Sequence, residues 1–342
     1  MSTPLIHAQP EGGLIFATRL PGSAADFPTA ENQALWDWDD LTPDPAKPIW
    51  AHLDRTKPSA NMWLRERSGL DNHAAELMLT QSTRPGFWAV EPGLVVILRG
   101  VNLNEGAEPD ELISIRMWIE PGRMVTLRSV RFQTVADLRE KAMQGQAPTT
   151  TGAVLAAIVT GLTDRLGPVV ENLMDLLDEV EEEILADGHE SSNRAAELRQ
   201  RLTLIRQQSI SLRRYLAPQR DALASLAGEQ HAALENRDRS AFRRAADQTA
   251  RSVEDLDELR DRAAVSTDEL RARREERIGR TTYLLTLVAS IALPLGLITG
   301  LFGINVGGMP GVESPAAFWI ICLGMAVLSA GGIALFKYVR WL

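Results

Sequence analysis

Cysteine is nearly absent. The chain of 342 residues carries one, Cys322, which excludes a disulfide framework and any cysteine-based zinc cluster. Histidine is sparse: five residues, at positions 7, 52, 73, 189 and 231, show no ligand spacing and read as structural or exposed. A basic excess is also missing. Against 45 Asp+Glu stand 36 Lys+Arg, a net charge of -9, so a nucleic-acid partner, which demands basic surface to displace counterions, is not expected. There is no G-x-G-x-x-G, no P-loop and no H-E-x-x-H, and no catalytic constellation, so neither an enzyme nor a cofactor is expected. The opening MSTPLIHAQPEGG has neither a basic start nor an apolar core, which speaks against a secretory signal and for a cytoplasmic bulk.

Charge is absent in a second, local sense. No charged side chain occurs from Thr281 to Val312, nor from Ser314 to Phe336. Thr281–Leu301 and Ala316–Phe336 are each 21 uncharged residues. At 1.5 Å per residue each is roughly 30 Å long, enough to cross a bilayer. Arg271, Arg273, Arg274, Arg277 and Arg280 precede the first span, and Lys337 and Arg340 follow the second, while the intervening loop has no Lys or Arg. The positive-inside rule then predicts both termini in the cytoplasm. Two helices cannot enclose an aqueous path, so conduction requires several copies around an axis, with one residue type building each ring.

Ahead of the spans, residues 1–148 read as α/β. Strands are predicted at Leu14–Thr18, Ile49–Leu53, Phe87–Val90, Leu94–Val101, Leu112–Ile119 and Met124–Arg128, separated by turn residues. Helices are predicted at Ser59–Ser68, Asn72–Gln81 and Val135–Gln144. Residues 149–280 read as all helix. One helix covers 150–187, interrupted or kinked near Gly167-Pro168, and a second covers 192–227 with a break at Pro218. Phe242, Ala245, Thr249, Val253, Leu256, Leu259 and Ala263 recur three or four apart, and no stop signal follows. A single helix from Ser240 to Phe302, 63 residues and roughly 95 Å, is therefore expected to carry the first span into the cytoplasm as a stalk.

That helix ends in Gly303-Ile304-Asn305, followed by an outside loop, a second span and a basic tail at 337–342. This arrangement resembles the CorA family of divalent metal transporters, which carries Gly-Met-Asn at this place. Gly-Ile-Asn departs toward the ZntB-type branch, which transports zinc. GLFGINVGGMPG (300–311), RRYLAPQRD (213–221), STRP (82–85) and WAHLD (50–54) are similar to that branch too, so the resemblance spans essentially the whole chain. It implies a funnel-shaped homopentamer in the bacterial inner membrane. Its first span (281–302) lines the pore, the Gly-Ile-Asn motif and a periplasmic loop occupy 303–315, and the second span (316–336) lies outside. The implied partners are further copies of the chain, membrane lipid and the transported cation, Zn²⁺ or another divalent ion.

The same resemblance sets Thr282, Thr286, Ala289, Leu293, Gly296 and Gly300 near the axis. No Cys, His, Asp or Glu lies between Thr281 and Val312, and Zn²⁺ held directly prefers such ligands, so the metal is expected to pass hydrated. A ring of Asn305 side chains can hydrogen-bond that water shell; the alternative for Asn305 is a helix C-cap. Leu293, followed by Pro294, can form a constriction that dewets, or can face lipid or a neighbouring helix. Gly296 and Gly300 can equally serve close helix approach. Glu313, the loop's lone charge, can concentrate cations at the mouth or be an ordinary solvated carboxylate. The acidic run DEVEEE (178–183) reads as a cation-attracting surface or a solvated face. Asp187, His189 and Glu190 are the weak candidates for a regulatory metal site. Zinc-branch transporters are associated with a proton gradient. The spans here hold no acid or His, so coupling requires protons moving with water, or titration in the funnel. The competing readings are a magnesium or broad divalent channel and a non-conducting, membrane-anchored coiled-coil scaffold.

Overall fold

A computed structural model describes residues 12–26, 36–81, 84–108, 110–186, 192–304, 311 and 314–338. They form two compact units, within Met1–Thr267 and Asp268–Leu342.

The first unit opens with β1 (Leu14–Arg19), β2 (Ile49–Asp54), α1 (Pro58–Glu66) and α2 (Asn72–Leu79). There follow β3 (Gly86–Val90), β4 (Gly93–Val101), β5 (Leu112–Glu120), β6 (Arg123–Arg128) and α3 (Gln133–Met143). The strands make one sheet, ordered β1-β2-β6-β5-β4-β3. Pairing is antiparallel except between β2 and β6, which run parallel. Each predicted strand is present within a residue or so of its expected bounds. β4 explains why its sequence is apolar without alternation. Leu94, Val96 and Leu98 enter the core beneath α3, while Val95 and Ile97 enter the core beneath α1 and α2. A sheet covered on both faces needs apolar residues at both parities. The β5–β6 turn places Gly122 at φ +87, against Asp44, where a Cβ would lie 2.3 Å from the Asp44 carbonyl carbon.

Two ionic devices close this unit. Glu120 and Arg123 are buried and paired at 2.5 Å; Glu120 also accepts from Trp118 Nε1 at 3.0 Å, and Arg123 donates to Leu41 O at 2.9 Å. The C-terminus of α2 receives two guanidinium groups: Arg116 donates to Thr80 O at 2.5 Å, and Arg55 to Leu79 O at 3.1 Å. Cations there match the negative end of the helix dipole. Burial lowers the Arg116 guanidinium to about 10, helped by neighbouring Arg55 and Arg99.

Three long helices follow: α4 (Thr151–Ala186), α5 (Ser192–Gly228) and α6 (Asn236–Phe302). An interruption at Pro168 and the break at Pro218 are corrected, since both prolines lie inside unbroken helices. A proline removes one N–H, and buried stripes on either side (Leu166 with Val170, Leu216 with Leu223) hold the helix through the gap. All seven periodic positions from Phe242 to Ala263 are buried. The RRYLAPQRD segment docks α5 onto β4. Gln219 Oε1 accepts the Arg99 amide at 2.7 Å, and the Arg99 guanidinium lies 4.0 Å above the Tyr215 ring.

The acidic run of α4 is largely neutralised. Arg262 reaches Asp178 and Glu181, at 2.5 and 2.6 Å, and Arg201 and Arg194 both reach Glu183. Hydrogen bonds to Glu181 and then Asp178 push the Arg262 guanidinium well above its ordinary range. This stretch is a set of interhelical ion pairs rather than a free cation-attracting surface.

The second unit contains the end of α6 and α7 (Ala317–Tyr338). Among the described residues three helices are long and apolar enough to cross a membrane: α4, α6 and α7. In α4 the apolar stretch is half-buried by protein, with Val154, Leu155, Ile158 and Val159 in the core below the sheet. No residue of the corresponding stretches of α6 and α7 is buried.

Candidate functional site

Burial along α6 fixes which way each residue faces. Leu287, Ile291, Leu295 and Ile298 are the partly covered positions, spaced four, four and three apart. On α7 the partly covered positions are Ala317, Ile321, Cys322, Met325, Ser329, Gly332 and Phe336. A Cβ on Gly332 would sit 3.7 Å from the Ile291 side chain, so a small residue marks the approach of the two helices.

At about 100° per residue, Thr282, Thr286, Ala289, Leu293, Gly296 and Gly300 cluster on one arc, roughly 180° from the arc that meets α7. All six are exposed in the single chain. Leu293 is 72% exposed, and a Cβ on Gly296 or Gly300 would meet nothing within 4 Å. One face of α6 therefore combines hydroxyls, small residues and a single large apolar side chain, with no charge.

Several hydroxyls of this span, that of Thr286 among them, turn their protons inward. Thr286 Oγ1 donates to Thr282 O at 2.9 Å, Thr281 Oγ1 to Arg277 O at 3.0 Å and Thr299 Oγ1 to Leu295 O at 3.0 Å. With the donor committed to the backbone, an outward-facing hydroxyl offers only oxygen lone pairs. Such a surface accepts hydrogen bonds from the water shell of a cation, whose protons point outward. Neither this inward donation nor its polarity is visible in the sequence, since it depends on rotamer.

Pro294 lies inside α6 and lacks an N–H, so the Ser290 carbonyl has no i+4 amide donor. Beside the hydroxyl face, Gly279, Thr282, Tyr283, Thr286, Ser290 and Phe336 border a groove of about 460 Å³. Tyr283, Ser290 and Phe336 were not among the sequence candidates; their signal is burial geometry, not residue type.

At the far end, the Gly303 amide donates to Thr299 O at 2.9 Å and to Gly300 O at 3.2 Å, closing the helix. Ile304 follows, half-exposed. Asn305 and Glu313 lie outside the described residues, as do Asp187, His189, Glu190 and His7. Among the described residues no group of three His, Cys, Asp or Glu could hold a metal ion.

The other histidines are not brought together. His52 is buried in the sheet, its Nδ1 2.8 Å from Thr126 Oγ1, and burial followed by the charges of Arg128 and Arg139 lowers its pKa well below 6.5. His231 joins the α5–α6 connection to the β3–β4 turn, its Nε2 3.0 Å from Pro92 O.

Comparison with known proteins adds the following. The family model described as CorA-like Mg²⁺ transporter protein matches residues 45–338. The divalent cation transporter CmaX of Pseudomonas aeruginosa is 37% identical over 339 residues, 97% of this chain and 98% of that protein. The zinc transport protein ZntB of Pectobacterium carotovorum is 32% identical over 331 residues, 96% of each chain. The solved structure of full-length CmaX superposes with a TM-score of 0.79 at 35% identity, covering 98% of this chain and 100% of that one. The CorA magnesium transporter of Methanocaldococcus jannaschii shares the fold, with a TM-score of 0.71 at 19% identity over 86% of this chain and 92% of that one.

Proposed function

The chain belongs to the CorA family of metal ion transporters, and from that premise we propose that it carries Zn²⁺ across the bacterial inner membrane as a homopentamer. The observation that carries this reading is the uncharged hydroxyl face of α6, opposite α7. Five such faces around an axis make a lumen lined by hydroxyl groups at Thr282 and Thr286 and narrowed at Leu293. A divalent ion keeps its water shell in such a lumen, because no ligand there competes with water for the metal. The Asn305 ring screens the hydrated ion at the entrance, and Glu313 raises the local cation concentration outside. Both termini lie in the cytoplasm, with residues 1–148 and the long helices of 149–280 forming the cytoplasmic part and 337–342 the tail. Coupling to protons, where it operates, acts through lumen water or through groups outside the spans.

The choice of zinc rests on Ile304 and on the similarity to ZntB. The similarity to a relative named only as a divalent cation transporter supports a second reading, broad divalent transport. Flux of Zn²⁺ and Mg²⁺ into liposomes holding the purified protein separates them. Zinc flux exceeding magnesium flux is expected; magnesium flux alone refutes the zinc reading. Asn305→Ala should abolish flux while leaving the oligomer intact. Unchanged flux in that variant refutes the role of the motif, and no flux from the intact wild-type oligomer returns the protein to the scaffold reading.

A further inference from the structure

Just ahead of its uncharged span, α6 carries a short charged stretch, 268–280, in which every charged residue is at least partly exposed. It holds five arginines and four carboxylates, so its net charge says little. Their arrangement round the helix says more. Measured from Thr286 at about 100° per residue, Asp268, Glu269, Glu275 and Glu276 fall in one arc, from roughly -20° to 100°. Arg280, Arg273, Arg277, Arg274 and Arg271 fall in the rest, from roughly 120° to 300°. Acids and bases are thus sorted onto two sides of one helix.

The two arcs continue different faces of the span. The acidic arc runs on into Thr282 and Thr286. The basic arc includes the phase of Ile291, Leu295 and Ile298, roughly 120° to 180°, which meets α7. Arg280, Arg273 and Arg277 stand in that same sector. α7 brings a further cation to this level. Phe336 borders the groove beside Gly279, Thr282 and Tyr283, so the exposed Lys337 that follows it lies near the level of Arg280.

Depth decides what such a face meets. At 1.5 Å per residue, Arg280, Arg277 and Arg273 lie roughly 1.5, 6 and 12 Å short of Thr281, where the uncharged run begins. A headgroup layer is about 5–8 Å thick on each side of the hydrocarbon. Arg280 and Arg277 therefore stand at headgroup level, and Arg273 stands within a Debye length of about 8 Å beyond it. Arg280 meets Glu276 at 2.8 Å and Arg273 meets Glu269 at 2.5 Å, each one turn along the helix, and Arg280 is 79% exposed. Exposed pairs of this kind are weak, and a guanidinium has five N–H donors, so neither pair excludes a further anion.

We propose that Arg273, Arg277, Arg280 and Lys337 form a docking surface for anionic phospholipid of the cytoplasmic leaflet, on the α7 side of α6. The lipid phosphate takes charge-assisted hydrogen bonds from the guanidinium groups, and the acyl chains lie along the uncharged spans. The acidic arc, continuous with the proposed lumen face, repels the same headgroup and so keeps the lipid on the outside of the assembly. The inference rests on the reading of α6 and α7 as membrane spans.

The test places the full-length protein in phosphatidylcholine bilayers with a trace of spin-labelled phosphatidylglycerol or spin-labelled phosphatidylcholine. Electron paramagnetic resonance reads the motionally restricted fraction of each label at the protein surface. Phosphatidylglycerol should be favoured by about threefold or more. The preference should vanish in the triple variant Arg273→Gln/Arg277→Gln/Arg280→Gln, persist in the corresponding triple lysine variant, and weaken in high KCl. Equal restriction of the two labels by the wild-type protein overturns the proposal, as does a preference that survives in the triple glutamine variant. Glycerol phosphate added to the water at matched ionic strength should leave the preference intact; its loss would assign the arginines to a soluble phosphate and overturn the lipid assignment. A restricted component absent for both labels refutes the span reading itself, an outcome distinct from restriction without preference.

Discussion

Replacing Thr286 by valine keeps the side-chain shape and deletes the hydroxyl. In the folded chain that hydroxyl donates to Thr282 O at 2.9 Å, a carbonyl that already has a helical amide partner, so the helix loses little. Threonine and valine also have similar helix propensity. What disappears is an outward lone pair on the face opposite α7. If a hydrated ion passing that level makes one hydrogen bond fewer, the barrier rises by about 1 kcal/mol. That is roughly a fivefold fall in flux. Thr299 supplies the control. It makes the same kind of backbone contact, to Leu295 O at 3.0 Å, but lies roughly 100° round the helix from the centre of the proposed lumen face. Thr299→Val should leave flux unchanged. The assay is Zn²⁺ entry into liposomes at equal protein density, with the oligomer verified. Flux retained in Thr286→Val and reduced in Thr299→Val would refute the assignment of faces.

Arg123→Met leaves Glu120 buried without its partner and should destabilise the protein by about 3–5 kcal/mol, read as a lower denaturation midpoint. Gln219→Leu removes the acceptor of the Arg99 amide and should cost about 1–3 kcal/mol; an unchanged midpoint would show that Tyr215 alone holds α5 to β4. Stability should fall with acid below about pH 6.5. His52 stays neutral when folded, because its pKa is depressed, whereas the unfolded chain takes up the proton; His52→Gln should flatten that slope. Asp238 acts with the opposite sign. Burial raises its pKa, so the folded state holds more protons just above 3.8 and its contribution declines as pH rises there. Asp238→Asn should remove that decline, seen in unfolding curves taken as pH rises from about 3.8.

The strands were legible because turn residues bracket each apolar run, and α6 because its buried positions keep helical spacing from Phe242 to Ala263. Sheet order was not legible, since nothing local in IWAHLD says that its neighbour is RMVTLR rather than the next strand in sequence. The acidic run of α4 misled for the same reason: its partners Arg194, Arg201 and Arg262 come from other helices. Proline was over-read as a helix breaker at positions 168 and 218, where tertiary packing outweighs one missing N–H. Within the candidate site, the six α6 positions were suggested by resemblance. Helical phase now sets them together, opposite α7. The inward turn of the Thr286 hydroxyl and the bordering Tyr283 and Phe336 needed coordinates.

The unbroken run of α6 over 67 residues has an evolutionary corollary. A loop absorbs an inserted residue; a continuous helix passes it on. One extra residue anywhere between Phe242 and Thr282 would turn everything beyond it by about 100° and advance it by about 1.5 Å. Gains or losses of seven or eleven residues nearly restore the phase, each leaving an error of about 20°. Homologues that differ in length across this segment should therefore do so in such steps, while the connections between strands vary freely.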